Sequence, residues 1–232
     1  MIDLYTWPTP NGQKLHIMIE ETGLPCRLHP VDITAGEQFA PEFLAISPNN
    51  KIPAMIDQDG PDGKPLALFE SGAMLIYLAE KSGRLLPCDP RPRMQVLQWL
   101  MFQMASVGPM LGQANYFRKY APEPVPAAIE RYTREAGRLY GVIDRRLGES
   151  AYLGGGHYSI ADIATLPWVL NPEEQGVDPA GLGHYRRWRD LLLERPAVQR
   201  GLAVLADRQR DPADATARAV LFGDQQYRQG RS

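Results

Sequence analysis

Three short stretches in the N-terminal third carry residues suited to holding a small charged peptide. Thr9 and Asn11 lie in Pro8-Thr9-Pro10-Asn11-Gly12, a turn between an apolar run and the first helical pattern. A helix N-terminus offers free N–H groups and a positive dipole end, which favour an anion such as a thiolate. Asn11 reads equally well as the cap of that helix. Ile52-Pro53 opens a strand. Proline removes a ladder donor there, and a cis bond would turn the Ile52 backbone outward to pair with a peptide as a short added strand. An ordinary trans proline on a sheet edge is the other reading. Glu70-Ser71 precedes a further helix. The hydroxyl and backbone N–H of Ser71 suit a carboxylate and Glu70 suits an ammonium, so the pair matches an amino-acid head group. Taken singly, Ser71 is a helix cap and Glu70 a partner for the helix dipole.

Sulfur chemistry from the protein itself is not indicated. The two cysteines, Cys26 and Cys88, form no CxxC pair, and neither lies near the Thr9 turn. Both read as apolar fillers. The four histidines, His16, His29, His157 and His184, show no metal-ligand spacing, so no metal is expected. With 25 Lys plus Arg against 27 Asp plus Glu, the net charge of −2 argues against nucleic acid as a partner. No apolar run approaches the roughly 20 residues of a membrane span. Met1-Ile2-Asp3-Leu4-Tyr5 does not read as a secretory signal, so a cytoplasmic location is expected.

The elements that must position these residues fall into two groups. Residues 1–83 alternate strand and helix: Ile2 to Trp7 as a buried strand, a helix presenting Leu15, Met18 and Ile19 and stopped by Gly23, then Cys26 to Asp32 as a strand. Lys51 to Ile56 and Pro65 to Phe69 pair as a hairpin around Asp59-Gly60-Pro61-Asp62-Gly63, followed by a helix from Ser71 to Gly83. That order predicts a mixed sheet with an antiparallel edge. Residues 84–92 read as a linker. Residues 93–210 read as helices only, with Leu97, Leu100, Met101 and Met104 in one pattern and Ile129, Tyr132, Ala136, Leu139 and Ile143 in another. Gly108-Pro109 should break the run between them. Tyr185, Trp188, Leu191 and Leu192 mark a helix ending before Pro196, and residues 211–232 read as a polar tail. Ser159-Ile160-Ala161-Asp162 is a capping box serving folding, whose loss should cost roughly 1 kcal/mol or more.

Together, Ser47-Pro48-Asn49-Asn50-Lys51-Ile52-Pro53-Ala54, Leu68-Phe69-Glu70-Ser71-Gly72-Ala73 and Tyr158-Ser159-Ile160-Ala161-Asp162 resemble the glutathione transferase family. Thr9-Pro10-Asn11-Gly12, Gly36-Glu37-Gln38-Phe39 and Ala128-Ile129-Glu130-Arg131-Tyr132 look like its bacterial nu class, a group similar to the glutathione domain of the yeast prion protein Ure2. The resemblance implies a thioredoxin-like α/β domain followed by an all-α helical bundle domain, and a homodimer. It implies glutathione, reduced or oxidised, as the bound substrate, and reduction of a small or protein disulfide more than conjugation. Glu70 and Ser71 would take the γ-glutamyl end, the Ile52 backbone the cysteinyl unit, and Gln38 and Lys51 the glycyl carboxylate. Thr9 and Asn11 would face sulfur, and Arg131 a second glutathione; without the family, Arg131 reads as a solvated partner of Glu135. Tyr116, Phe117 and Trp168 would line the interdomain pocket. Thioredoxin-type enzymes carry their reacting sulfur at the turn occupied here by Thr9, so glutathione is expected to be the only reacting thiol. Conjugation of electrophiles, peroxide reduction, and a non-catalytic glutathione-binding module are the alternatives.

Overall fold

The computed structural model describes residues 1–208 and 214–227 of the 232. Part of the tail read from the sequence, residues 211–213 and 228–232, lies outside them. Strand β1 (Ile2–Thr6) is followed by helix α1 (Pro10–Thr22) and strand β2 (Cys26–Pro30). A short helix α2 (Pro41–Leu44) then leads to the hairpin β3 (Ala54–Asp57) and β4 (Leu66–Phe69), and to α3 (Ser71–Ser82). The sheet order is β2-β1-β3-β4, with β1 parallel to β2 and both other pairings antiparallel. The mixed sheet and its hairpin edge are as the pattern predicts. The Ile52–Pro53 peptide bond, immediately before β3, is cis.

Thr9 rather than Asn11 is the α1 N-cap: its hydroxyl accepts from the Gly12 N–H at 3.3 Å, and Pro10 takes the first helical position. Proline with its fixed φ starts the helix three residues earlier than the turn signal suggests. Gly12 cannot be replaced easily, because a Cβ would stand 2.0 Å from the Trp7 carbonyl oxygen. On α1, Ile17 is fully buried with Leu15 and Met18, while Ile19 is only half-buried.

The second part is helical throughout. Helix α4 (Pro90–Phe102) starts inside the expected linker, again on a proline. Instead of ending at Gly108-Pro109, it passes through a π-helical turn (Gln103–Val107) into α5 (Gly108–Asn115) and a second π-turn (Tyr116–Tyr120). Helix α6 (Pro126–Glu149) buries Ala136, Leu139 and Ile143, and α7 (Ile160–Thr165) lies buried along its whole length. Helix α8 (Gly183–Leu193) buries Tyr185, Trp188 and Leu192 but leaves Leu191 exposed, as Met101 is on α4. Pro196, read as a stop, instead begins α9 (Pro196–Ala203), which crosses α1 so closely that a Cβ on Gly201 would lie 2.7 Å from Ile17 backbone atoms. Arg195 grips Glu21 with two bonds of 2.8 and 2.9 Å, tying the two parts together at this crossing. In the tail, α10 (Ala215–Phe222) is capped by Asp214, whose carboxylate accepts from the Thr216 and Ala217 N–H groups. No helix among the described residues is long and apolar enough to cross a membrane.

Candidate functional site

The C-terminal edge of β1, the start of α1 and the β4–α3 junction face α5 and the segment after α7. Two adjoining cavities lie between them. The smaller, about 150 Å³, is bounded by Asn11, Lys51, Ile52, Pro53, Glu70 and Ser71, with Ser47, Asn49, Phe69 and Met104 completing it. The larger, about 570 Å³, shares Asn11, Glu70 and Met104 with the first and extends over Lys14, Gln103, Gln113, Tyr116, Trp168 and Phe222. Five of the sequence-predicted residues thus come together: Asn11, Lys51, Ile52, Glu70 and Ser71.

Each is held in a definite way. Asn11 Oδ1 accepts the Trp168 indole N–H at 2.9 Å across the domain boundary. Because an indole nitrogen only donates, the Asn11 amide nitrogen is left as its donor toward the cavity. Glu70 has φ +68, a strained left-handed backbone for a residue with a side chain. It is Glu70, not Ser71, that occupies the α3 N-cap position, and Ser71 is the first helical residue, 4% exposed. The loop before Pro53 is closed by the Ser47 hydroxyl donating to the Lys51 carbonyl at 2.8 Å. Lys51 Nζ reaches the tail, donating to Gln226 Oε1 at 2.5 Å.

Three predicted residues stand elsewhere. The Thr9 oxygen is engaged as the α1 cap, and Thr9 borders a separate cavity with Trp7, Asn115 and Tyr120. Gln38 is 2% exposed and borders neither of the two adjoining cavities; the left-handed Gly36 turns it inward, and its amide donates to the Ile33 carbonyl at 3.1 Å. Arg131 is exposed on α6, beside Arg134 and Arg138 in a surface groove apart from the two cavities; the Glu135 partner is Arg138, at 2.7 Å. Of the three expected aromatics, Tyr116 and Trp168 line the larger cavity, while Phe117 stacks flat on Tyr132 at 5.5 Å between centroids.

Sequence reasoning missed Lys14, Gln103, Met104 and Phe222. Lys14 is 1% exposed on α1, although its side chain ends in an ionisable amine. It donates to Gln103 Oε1 at 2.7 Å, to Ser71 Oγ at 3.2 Å and, weakly, to Met104 Sδ at 3.5 Å. Burial pushes its pKa down to about 7, opposed by the nearby Glu70 charge. A lysine one turn beyond Asn11, beside Leu15 on a buried helix, is the signal that was available. Gln103 and Met104 sit in the π-turn, a distortion common at functional sites and invisible to a 3.6-residue period. The wall contains no cysteine: Cys26 lies on β2, where burial raises its thiol to about 11, and Cys88 is exposed on the connector. Among the described residues no group of three or more His, Cys, Asp or Glu is placed to hold a metal.

The chain is similar to several known proteins. The disulfide-bond oxidoreductase YfcG of Escherichia coli is 50% identical over 214 residues, spanning 91% of this chain and 100% of that protein. A glutathione transferase from Burkholderia graminis, solved with two glutathione molecules bound per subunit, superposes with a TM-score of 0.83 at 48% identity, covering 87% of each chain. One from Pseudomonas putida, solved with one glutathione disulfide per subunit, gives 0.83 at 48% identity, covering 88% of this chain and 91% of that one. Residues 9–81 match the glutathione S-transferase N-terminal domain and residues 100–196 the glutathione S-transferase C-terminal domain, so the chain belongs to the glutathione S-transferase family.

Proposed function

We propose that this protein reduces disulfides with glutathione, and that bound glutathione supplies every reacting sulfur. The convergence of Asn11, Lys51, Ile52, Glu70 and Ser71 on two joined, cysteine-free cavities carries this reading. A relative named as a disulfide-bond oxidoreductase, and relatives solved with two glutathiones or one glutathione disulfide, support it. Ser71 and the α3 N-terminus receive the γ-glutamyl carboxylate, Glu70 the ammonium, the Ile52 backbone the cysteinyl unit, and Lys51 the glycyl carboxylate. The Asn11 amide and the positive end of α1 favour the thiolate. Thr9 acts on sulfur only indirectly, by fixing where that helix begins. One glutathione thiolate attacks the substrate disulfide, giving a mixed disulfide and releasing one substrate thiolate. A second glutathione thiolate attacks the glutathione sulfur of that mixed disulfide, giving glutathione disulfide and the other substrate thiolate. The protein contributes positioning and electrostatics. The reading includes a homodimer, on family grounds.

The test is turnover of a small hydroxyethyl disulfide against conjugation of a chloronitroarene, with calorimetric stoichiometry beside it. Faster disulfide reduction, with two reduced glutathiones or one oxidised molecule bound per chain, is expected. Conjugation outrunning disulfide reduction would overturn the assignment.

A further inference from the structure

A lysine with 1% exposure normally sits against a carboxylate, because an uncompensated buried charge is costly. Lys14 has none within ion-pair distance among the described residues. Its three contacts are the Gln103 side-chain amide oxygen, the Ser71 hydroxyl and the Met104 sulfur, all neutral. When protonated, Lys14 has donors only. The Ser71 oxygen therefore accepts from it, and the Ser71 hydrogen must point elsewhere. At present it points to Met104 Sδ at 3.6 Å, a weak acceptor that a carboxylate would readily replace. Gln103 is itself constrained: it is fully buried in the π-turn, and its amide nitrogen has no partner among the described residues. Lys14 and Gln103 thus form a cross-domain strut ending at the residue that caps the smaller cavity.

We infer that Lys14 is a positioning residue of this site: it fixes the Ser71 hydroxyl as a donor and supplies the buried positive charge facing the ligand's γ-glutamyl carboxylate. This rests on the glutathione reading above. Binding then draws a proton from solvent onto Lys14, because the incoming carboxylate stabilises the ammonium that burial disfavours. The titratable groups sharing its cavity are Glu70 and Tyr116. Charged groups on elements packed against α1 are engaged elsewhere: Lys81 with Asp57, Glu80 with Arg93, Arg195 with Glu21, and Arg200 with Glu20. Asp162 is bonded to Ser159, Leu153 and Trp188, and His16 to Thr6.

S-methylglutathione is the suitable probe, since it keeps the γ-glutamyl group and has no thiol to ionise. Titration calorimetry at pH 7.5 to 8, in two buffers of different ionisation enthalpy, reads affinity and proton uptake together. For the wild type, roughly half a proton or more should be taken up per ligand. In Lys14→Met, uptake should vanish and affinity should fall roughly tenfold or more, the loss expected for a hydrogen-bonded charge. S-methylcysteinylglycine, which lacks the γ-glutamyl group, should bind both proteins alike. Wild-type binding without proton uptake overturns this inference alone, and that result does not depend on the variant folding. Equal affinity of the folded variant for S-methylglutathione, or an equal loss for both probes, also overturns it. No wild-type binding of S-methylglutathione sinks the glutathione reading and this inference with it.

Discussion

Replacing Asp162 by alanine should destabilise the protein far more than the loss of an ordinary helix cap. Its carboxylate is fully buried and accepts four hydrogen bonds: from Leu153 N at 2.9 Å, Ser159 N at 3.0 Å, Ser159 Oγ at 2.9 Å and the Trp188 indole at 2.9 Å. Burial pushes this carboxyl upward in pKa and the four donors pull it back. Alanine strands three N–H donors, since only the serine hydroxyl can rotate to a new partner. At about 1–3 kcal/mol for each stranded donor, with some relief as the site relaxes, the cost is about 4–6 kcal/mol. That is a large part of the roughly 5–15 kcal/mol of a typical domain. Asparagine keeps the oxygen facing Leu153 and Trp188 and strands only the Ser159 N–H, so Asp162→Asn should cost about 1–3 kcal/mol. Urea unfolding followed by circular dichroism, read from midpoints at constant m, checks both. An Asp162→Ala cost of only about 1 kcal/mol, the value for a simple cap, would refute the role of the Trp188 and Leu153 contacts.

The cysteine-free mechanism requires that the double variant Cys26→Ser, Cys88→Ser keep its disulfide reductase rate, measured with glutathione in excess; loss of turnover would overturn it. Thr9→Ala should lower stability by about 0.5–1 kcal/mol through its long cap bond, with kcat barely changed. A fall in kcat of several orders would instead place the hydroxyl against sulfur. Lys14 also predicts a pH dependence of stability. Its folded pKa, about 7, lies below the unfolded 10.5, so the unfolded chain binds the extra proton. The penalty is full below pH 7 and is relieved as pH rises toward 10.5, adding roughly 1.4 kcal/mol of stability per unit in that window. Chemical unfolding of wild type and Lys14→Met between pH 7 and 10 should show this slope only in the former.

The strand–helix alternation, the hairpin around Gly60 and the glycine stops at Gly23 and Gly83 were legible because they depend on local rules of period and backbone freedom. Helix starts were read less well. Pro10, Pro90 and Pro196 carry the local signals of turn, linker and stop, yet each occupies the opening turn of a helix, where its missing N–H costs nothing. The Ile52-Pro53 turn and the helix start at Ser71 are local signals, and both residues lie at the smaller cavity. Gln38 and Arg131 have ordinary local sequences, and only the tertiary fold shows the one turned inward and the other left on a helix face. Lys14 carries no local signal of burial, because lysine is ordinarily exposed, and the π-turn holding Gln103 departs from the regular helical period.

The C-terminal helix gives the site a tethered competitor. Phe222 lies edge-on to Tyr116 and stacks on Tyr120, and four residues later Gln226 presents its amide oxygen to Lys51. An anion arriving at Lys51 therefore exchanges with a group of the same chain rather than with bulk water. Such a group acts at an effective concentration set by the chain, independent of how much ligand or protein is present. A carboxylate brings a full opposite charge that the amide oxygen lacks, and wins the exchange. As a product leaves, the amide is already at hand to take its place, so the tether lowers affinity modestly while shortening residence. For an enzyme that must discharge a bulky oxidised product every cycle, release by substitution keeps the Lys51 cation partnered throughout.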